Sequence, residues 1–186
     1  FYLSAGLMLG MAQSACAIGI VLGVVGRVMP PEKRSWGLGL VTAAGGVGLI
    51  FNQWAKHIGA TVIGTVGSEA KAELARELGC DHVINYTDEN FSDRVREITD
   101  GEGCDVVYES IGKTTLKKSL ACLRPMGLCA AYGHASGEPD PVDIIRDLGT
   151  PGALYITRPG LHWYVRDRET LLQAADDLFA AIKAGI

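Results

Sequence analysis

The sequence predicts an α/β protein built as a doubly wound parallel sheet in three layers, with helices on both faces. Three observations predict it. From residue 38 onward, short apolar runs alternate with amphipathic helical stretches. The runs are apolar almost throughout, as strands covered on both faces must be. A glycine-rich turn, Ala43-Ala44-Gly45-Gly46-Val47-Gly48, joins the first run to the first helical stretch, where such a fold places an anion-binding loop.

Pro30-Pro31 closes what precedes and the residues around Ser35 read as a turn, which leaves 1–37 as an atypical apolar segment and 38–186 as the expected domain. Leu38–Thr42 is the first strand and Leu49–Ile58 the first helix, with Leu49, Ile50, Trp54 and Ile58 spaced to face a sheet. Ala60–Val66 is the next strand. Ser68–Leu78 is a helix with Ser68 suited to its N-cap and Gly79 to the left-handed position after its end. His82–Asn85 is a strand, Phe91–Ile98 a helix, Asp105–Glu109 a buried strand and Thr114–Leu123 a helix ended by Pro125. Leu128–Tyr132 and Ala153–Ile156 are the last strands, with a brief helical run near Val142–Leu148 between them. His162-Trp163-Tyr164 reads as a loop or edge cluster. Arg168–Ala184 is a long amphipathic helix.

Composition excludes several functions. Apolar residues make up 48% and charged residues 20% of 186, a globular mixture for one domain. Seventeen basic against twenty-one acidic residues give a net charge of −4. No broad positive field exists to hold a nucleic acid, so any phosphate must be met locally. The cysteines, Cys16, Cys80, Cys104, Cys122 and Cys129, lack the paired spacing of a zinc loop. No metal site is expected. Their odd number, with no secretory signal, points to a reducing compartment, the cytoplasm.

Residues 1–26 carry no charge and are long enough to span a bilayer, with small residues at Gly6 and Gly10 and at Gly19 and Gly23, and Arg27, Lys33 and Arg34 following. The alternative is a buried helix or helix pair, which the cytosolic layout of the remaining chain favours over a membrane span. Phe1 in place of an initiator Met suggests a piece of a longer protein.

The glycine turn carries the first functional expectation. It fits G-x-G-x-x-G with Ala in the first position, the Rossmann-like fingerprint between a strand and a helix. Gly45 leaves room for a pyrophosphate to approach the backbone. Gly48 allows close helix-on-strand contact, and the amides of Gly46 and Val47 open the helix toward an anion. No acid stands at the end of the second strand, where a ribose diol would need one. Ser68 offers a hydroxyl and Lys71 a charge, which favour a 2′-phosphate and hence NADPH over NADH. Glu69 argues the other way, since turned inward it could serve a diol.

Further motifs follow: Gln53-Trp54-Ala55-Lys56, Gly64-Thr65-Val66-Gly67-Ser68, Val83-Ile84-Asn85-Tyr86 and Asp105-Val106-Val107-Tyr108. Later come Leu123-Arg124-Pro125, Tyr132-Gly133-His134-Ala135-Ser136-Gly137 and Leu154-Tyr155-Ile156-Thr157-Arg158-Pro159. With the glycine turn, these resemble the NADPH-dependent quinone oxidoreductases, the zinc-free, zeta-crystallin-like branch of the medium-chain dehydrogenases. The resemblance is dense over residues 41–186. It implies that Gly46 and Val47 face the pyrophosphate, and that Gly67, Ser68, Lys71 and Tyr86 hold the adenosine phosphate end. It implies that Ile111 and Tyr132, Gly133, His134 and Ala135 line the nicotinamide ribose, with Arg158 and Pro159 approaching the nicotinamide.

The resemblance further implies hydride transfer from NADPH to a small acceptor, a quinone or enone, and a homodimer joined through the edge strand near Leu154. Three departures stand out. The family usually carries Asn where His134 stands, so His134 is expected to fill space or donate one hydrogen bond. The glycine turn is one small residue shorter than usual. Residues 10–40 do not match. The family's substrate half is absent from the chain, so no catalytic residue is nominated. Two other readings stand beside this one: a non-catalytic module, either a nucleotide sensor or a protein attached to a membrane through residues 1–26, and a zinc alcohol dehydrogenase.

Overall fold

The computed structural model describes residues 41–42 and 46–185, with side chains from Phe51 onward apart from Leu161. The apolar segment 1–37, the membrane alternative and Gly45 lie outside the described residues. The described chain falls into two compact units, one ending at Arg158 and one formed by residues 159–185.

The first unit holds six parallel strands: β1 Val41–Thr42, β2 Ile63–Val66, β3 His82–Asn85, β4 Cys104–Glu109, β5 Leu123–Ala131 and β6 Tyr155–Thr157. Their order is β3-β2-β1-β4-β5-β6, so the chain reverses direction across the sheet at β1. Helices α1 Gly46–His57, α2 Glu69–Glu77, α3 Phe91–Ile98 and α4 Leu116–Ala121 connect the strands. The expected doubly wound sheet is therefore the observed one.

All four residues of β2 and all six of β4 are buried, which explains why neither strand alternates in polarity. Successive residues of β4 serve opposite faces. Tyr108 meets Phe51 of α1 edge-on, ring centroids 4.5 Å apart. Val107 packs in a core cluster with Phe91 and Val95 of α3 and Leu116 and Leu120 of α4. Helix α2 turns only Ala72 and Ala75 inward, small residues that let it lie close to the sheet. Gly79, at φ +90°, follows its last turn in the left-handed conformation expected there.

The structure corrects the expected element boundaries around residues 114–128. Helix α4 is shorter than the expected Thr114–Leu123, and β5 begins at Leu123, not Leu128. Pro125 thus lies inside a strand. The register explains this: Cys104 pairs with Leu123, but Val106 pairs with Leu128, so an irregularity opens where the proline sits. Pro is tolerated in a strand at such a place because no ladder donor is missed. Met126 takes φ +61° to make the turn. The helical run near Val142–Leu148 is a π-helical segment, Ile144–Gly149, capped by Asp143, whose side chain accepts from the amides of Ile145 and Arg146 at 3.0 and 2.8 Å. A short helix, α5 Thr150–Gly152, follows it.

Lys117 of α4 binds Asp147 and ties the π-helical segment to the body of the unit. That hydrogen bond, joined by the Asp143 amide at 2.8 Å, lowers the Asp147 carboxyl from 3.8 to about 2. Because the folded value is depressed, the contribution is complete above the unfolded value and is lost as pH falls from about 4 toward 2. Thermal unfolding followed over that range should show the wild type losing more stability than Asp147→Asn. Parallel profiles would contradict the assignment.

The second unit contains α6 Leu161–Tyr164 and α7 Arg168–Lys183. Residues 162–164, expected as a loop or edge cluster, are helical. Helix α7 starts where its sequence signals place it. Asp167 accepts from the Thr170 amide at 2.8 Å, and the Thr170 hydroxyl reaches back to complete a capping box.

Candidate functional site

Every site residue expected in the first unit and described here follows directly on the carboxyl end of a strand or opens the helix behind it. Gly46, Val47 and Gly48 form the first turn of α1, so their amides lie at a helix start. Gly67 and Ser68 follow β2, Tyr86 follows β3, Ile111 follows β4, Tyr132 to Ala135 follow β5, and Arg158 follows β6. Ligands of doubly wound sheets bind along this edge, at the point of reversal, which here is β1. Pro159 belongs to the second unit.

At the β2–β3 end the Tyr86 ring lies directly over the Gly67 backbone. A Cβ at residue 67 would stand 2.5 Å from the Tyr86 hydroxyl oxygen and 2.9 Å from Cζ. Glycine is what lets the ring settle there. The ring is 40% exposed and so keeps a free face. Ser68 occupies the N-cap position of α2, but its side chain makes no capping bond. Glu69, the residue that could have served a ribose diol, binds Arg76 on its own helix at 2.9 Å. Lys71 is exposed and has no ion-pair partner among the described residues. Among the described residues, the β2–β3 end therefore presents an ammonium without an ion-pair partner and a hydroxyl without a capping bond, while Glu69 is engaged.

At the β4–β5 end two loops are laced together. The Ser110 carbonyl accepts from the Ala135 amide at 3.1 Å. The Ile111 carbonyl accepts from both the amide and the hydroxyl of Ser136 at 2.7 Å. Gly133 lies so close to Ser110 that a Cβ there would collide with its carbonyl oxygen and stand 2.8 Å from its Cα. Gly112, at φ +89°, is pressed in the same way against the Gly137 carbonyl and His134 Cα.

The Arg158 guanidinium bridges these loops to β6, donating to the Ala131 carbonyl at 2.9 Å and to His134 Nδ1 at 3.1 Å. A guanidinium only donates. His134 is thus an acceptor at Nδ1, with the proton on Nε2, where the expectation was that it fills space or donates one hydrogen bond. An Asn carbonyl oxygen can accept in the same manner.

Glu109 was not among the expected residues. It ends β4, is fully buried, and its Oε1 accepts from the amides of Ile111 and Gly112 at 2.6 and 3.0 Å and from the Thr115 hydroxyl at 2.9 Å. The Ser119 hydroxyl donates to its other oxygen. The available signal was an acid closing a buried strand, with hydroxyl residues six and ten positions on.

Among the described residues no three His, Cys, Asp or Glu side chains come together as a metal would require. Burial pushes the Cys80 thiol up to about 11, Cys129 up to about 12 and Cys122 well above the usual range, which disfavours the thiolates a metal needs. No helix among the described residues is long and apolar enough to cross a membrane.

Residues 46–173 match the family of zinc-binding dehydrogenases. The chain belongs to that family. Within it, the chain is 59% identical over 144 residues to a 2-haloacrylate reductase of Burkholderia sp., covering 77% of this chain and 43% of that protein. It is 46% identical over 144 residues to quinone oxidoreductase 1 of Escherichia coli (strain K12), covering 77% and 44%. The chain thus spans less than half the length of these relatives. Among solved structures, Escherichia coli quinone oxidoreductase complexed with NADPH superposes with a TM-score of 0.83 at 40% identity, over 92% of this chain and 51% of that one. The family's description names zinc, but the donor groups described in this dehydrogenase domain do not fit the metal.

Proposed function

We propose that this chain is the NADPH-binding part of an oxidoreductase that passes hydride to a quinone or a similar conjugated acceptor. The observation that carries the cofactor choice is the β2–β3 end. Among the described residues Lys71 has no ion-pair partner, the Ser68 hydroxyl makes no capping bond, and Glu69 is tied to Arg76. Such an end attracts a 2′-phosphate and offers a diol no carboxylate. The exposed Tyr86 ring over Gly67 supports an adenosine stacked beside that phosphate.

In this reading the α1 amides of Gly46 and Val47, with Gly45 and Gly48, meet the pyrophosphate. Gly67, Ser68, Lys71 and Tyr86 hold the adenosine phosphate end. Ile111, Tyr132, Gly133, His134 and Ala135 bound the nicotinamide ribose, and Arg158 stands toward the ring. The cofactor supplies the hydride. The chain's residues bind and orient it, and no side chain of the chain is assigned a chemical step. The reductase names of the relatives, one acting on a haloacrylate and one on a quinone, support an acceptor with a conjugated carbonyl. Strand β6 ends the sheet with Tyr155 55% exposed, which supports pairing with a second copy along that edge. Cys80, Cys122 and Cys129 are buried thiols, which supports a cytoplasmic protein.

Fluorescence titration tests the reading. The chain should bind NADPH at least tenfold more tightly than NADH, the worth of about one charge-assisted hydrogen bond. Lys71→Ala should remove that preference while leaving NADH within about twofold, since an exposed lysine contributes little to the fold. Equal weakening of both cofactors, or an NADH preference in the wild type, would overturn it.

A further inference from the structure

Resting on the dinucleotide reading above, we propose that Glu109 is the positioning residue for the nicotinamide-ribose half of the site. It acts through the two loops it ties and touches no ligand itself. Its side chain and its main chain serve different loops. The carboxylate gathers the amides of Ile111 and Gly112 and the hydroxyls of Thr115 and Ser119, which fixes the loop after β4. The main-chain carbonyl accepts from the amides of Tyr132 and Gly133 at 2.9 and 3.2 Å, which fixes the start of the loop after β5.

A residue that only filled the space between β4 and α4 would be apolar, because burying a carboxylate is costly unless its acceptor capacity is used. Here two of its partners are amides that can only donate, and both carboxylate oxygens are occupied. The arrangement therefore specifies a loop geometry. It specifies nothing at Gly67, Ser68, Lys71 or Tyr86, which hang from β2 and β3 on the far side of β1. Loosening Glu109 should disturb one half of the bound dinucleotide and spare the other.

Glu109→Gln in the 186-residue chain makes the test. Size is kept, one oxygen stays to accept, and the new amide faces the Ser119 hydroxyl, which can turn to accept. The charge-assisted bonds become neutral ones of about half the strength. The probes are NADPH and adenosine 2′,5′-bisphosphate, which carries the 2′-phosphate and adenosine without the nicotinamide half. NADPH affinity should fall about tenfold while the bisphosphate changes less than about twofold. Equal loss of both, or loss of neither, overturns the proposal.

If Glu109→Gln does not fold, Thr115→Val removes a single donor and should weaken NADPH alone by about threefold. Symmetric behaviour there overturns the proposal as well. A wild-type chain that binds no NADPH overturns the dinucleotide reading and this inference with it, and is seen before any substitution is made.

Discussion

Gly133→Ala is expected to lower stability by about 3 kcal/mol, at the upper end for forcing one methyl into packed structure. For a domain of this size that is a fall in melting temperature of roughly 6–12 °C. The cause is space and not backbone conformation. The new Cβ would meet the Ser110 carbonyl oxygen, with Ser110 Cα at 2.8 Å and its carbonyl carbon at 2.9 Å. These are main-chain atoms, fixed by β4 on one side and by the Ser110–Ala135 hydrogen bond on the other. No side chain can swing aside to make room.

The loops must then part, breaking the lacing that joins Ser110 and Ile111 to Ala135 and Ser136, so NADPH affinity should fall with stability. Gly59→Ala supplies the contrast. Gly59 sits at φ +84° with nothing within 4 Å of a new Cβ, so only conformational strain opposes the change. Its effect should be about 1 kcal/mol, without loss of NADPH binding. Melting curves and titrations of the two variants side by side decide the matter. A Gly133→Ala protein melting within about 2 °C of wild type would show that the loops yield freely.

The contrast also shows which parts of the molecule could be read before folding. Strand identity was legible because burial on both faces leaves a chemical trace: Val106, Val107 and Tyr108 are apolar in succession, with no polar face to interrupt them. The strand ends were legible too, because Gly67 and Gly133 stand directly after apolar runs. The path of β5 was not. Pro125 is ordinarily a breaker, and only the slipped pairing of Cys104 with Leu123 makes it tolerable within a strand. Glu109 was hidden for a different reason. Its role depends on Thr115 and Ser119 converging on one carboxylate from the loop after β4 and from helix α4, and spacing alone does not foretell that meeting. The partnership of His134 with Arg158 joins β5 to β6 across 24 residues and was equally invisible.

Arg96→Met should destabilise the fold by about 3 kcal/mol while leaving the cofactor site untouched, the loss of several hydrogen bonds to a charged group offset by retained packing of the stem. Arg96 lies on α3 and uses all five donors of its guanidinium. Nε and Nη2 reach the Ala121 carbonyl at 3.1 and 2.9 Å, and Nη2 also reaches Leu123 at 2.8 Å. Nη1 reaches the carbonyls of Gly101 and Glu102 at 2.8 and 3.1 Å. Ala121 is the last residue of α4, Leu123 the first of β5, and the turn at 101–102 leads into β4.

One side chain thus pins the amino ends of the two strands whose carboxyl ends carry the laced loops. A lysine has the charge but not the planar fork, so Arg96→Lys should fall between wild type and Arg96→Met. Melting temperature should drop by roughly 6–12 °C for Met, with NADPH affinity within about twofold of wild type at temperatures where the variant is folded, because its contacts lie at the opposite edge of the sheet. A large change in affinity without a change in melting temperature would mean that the amino edge communicates with the site, and the division of labour between the two ends of β4 and β5 would be wrong.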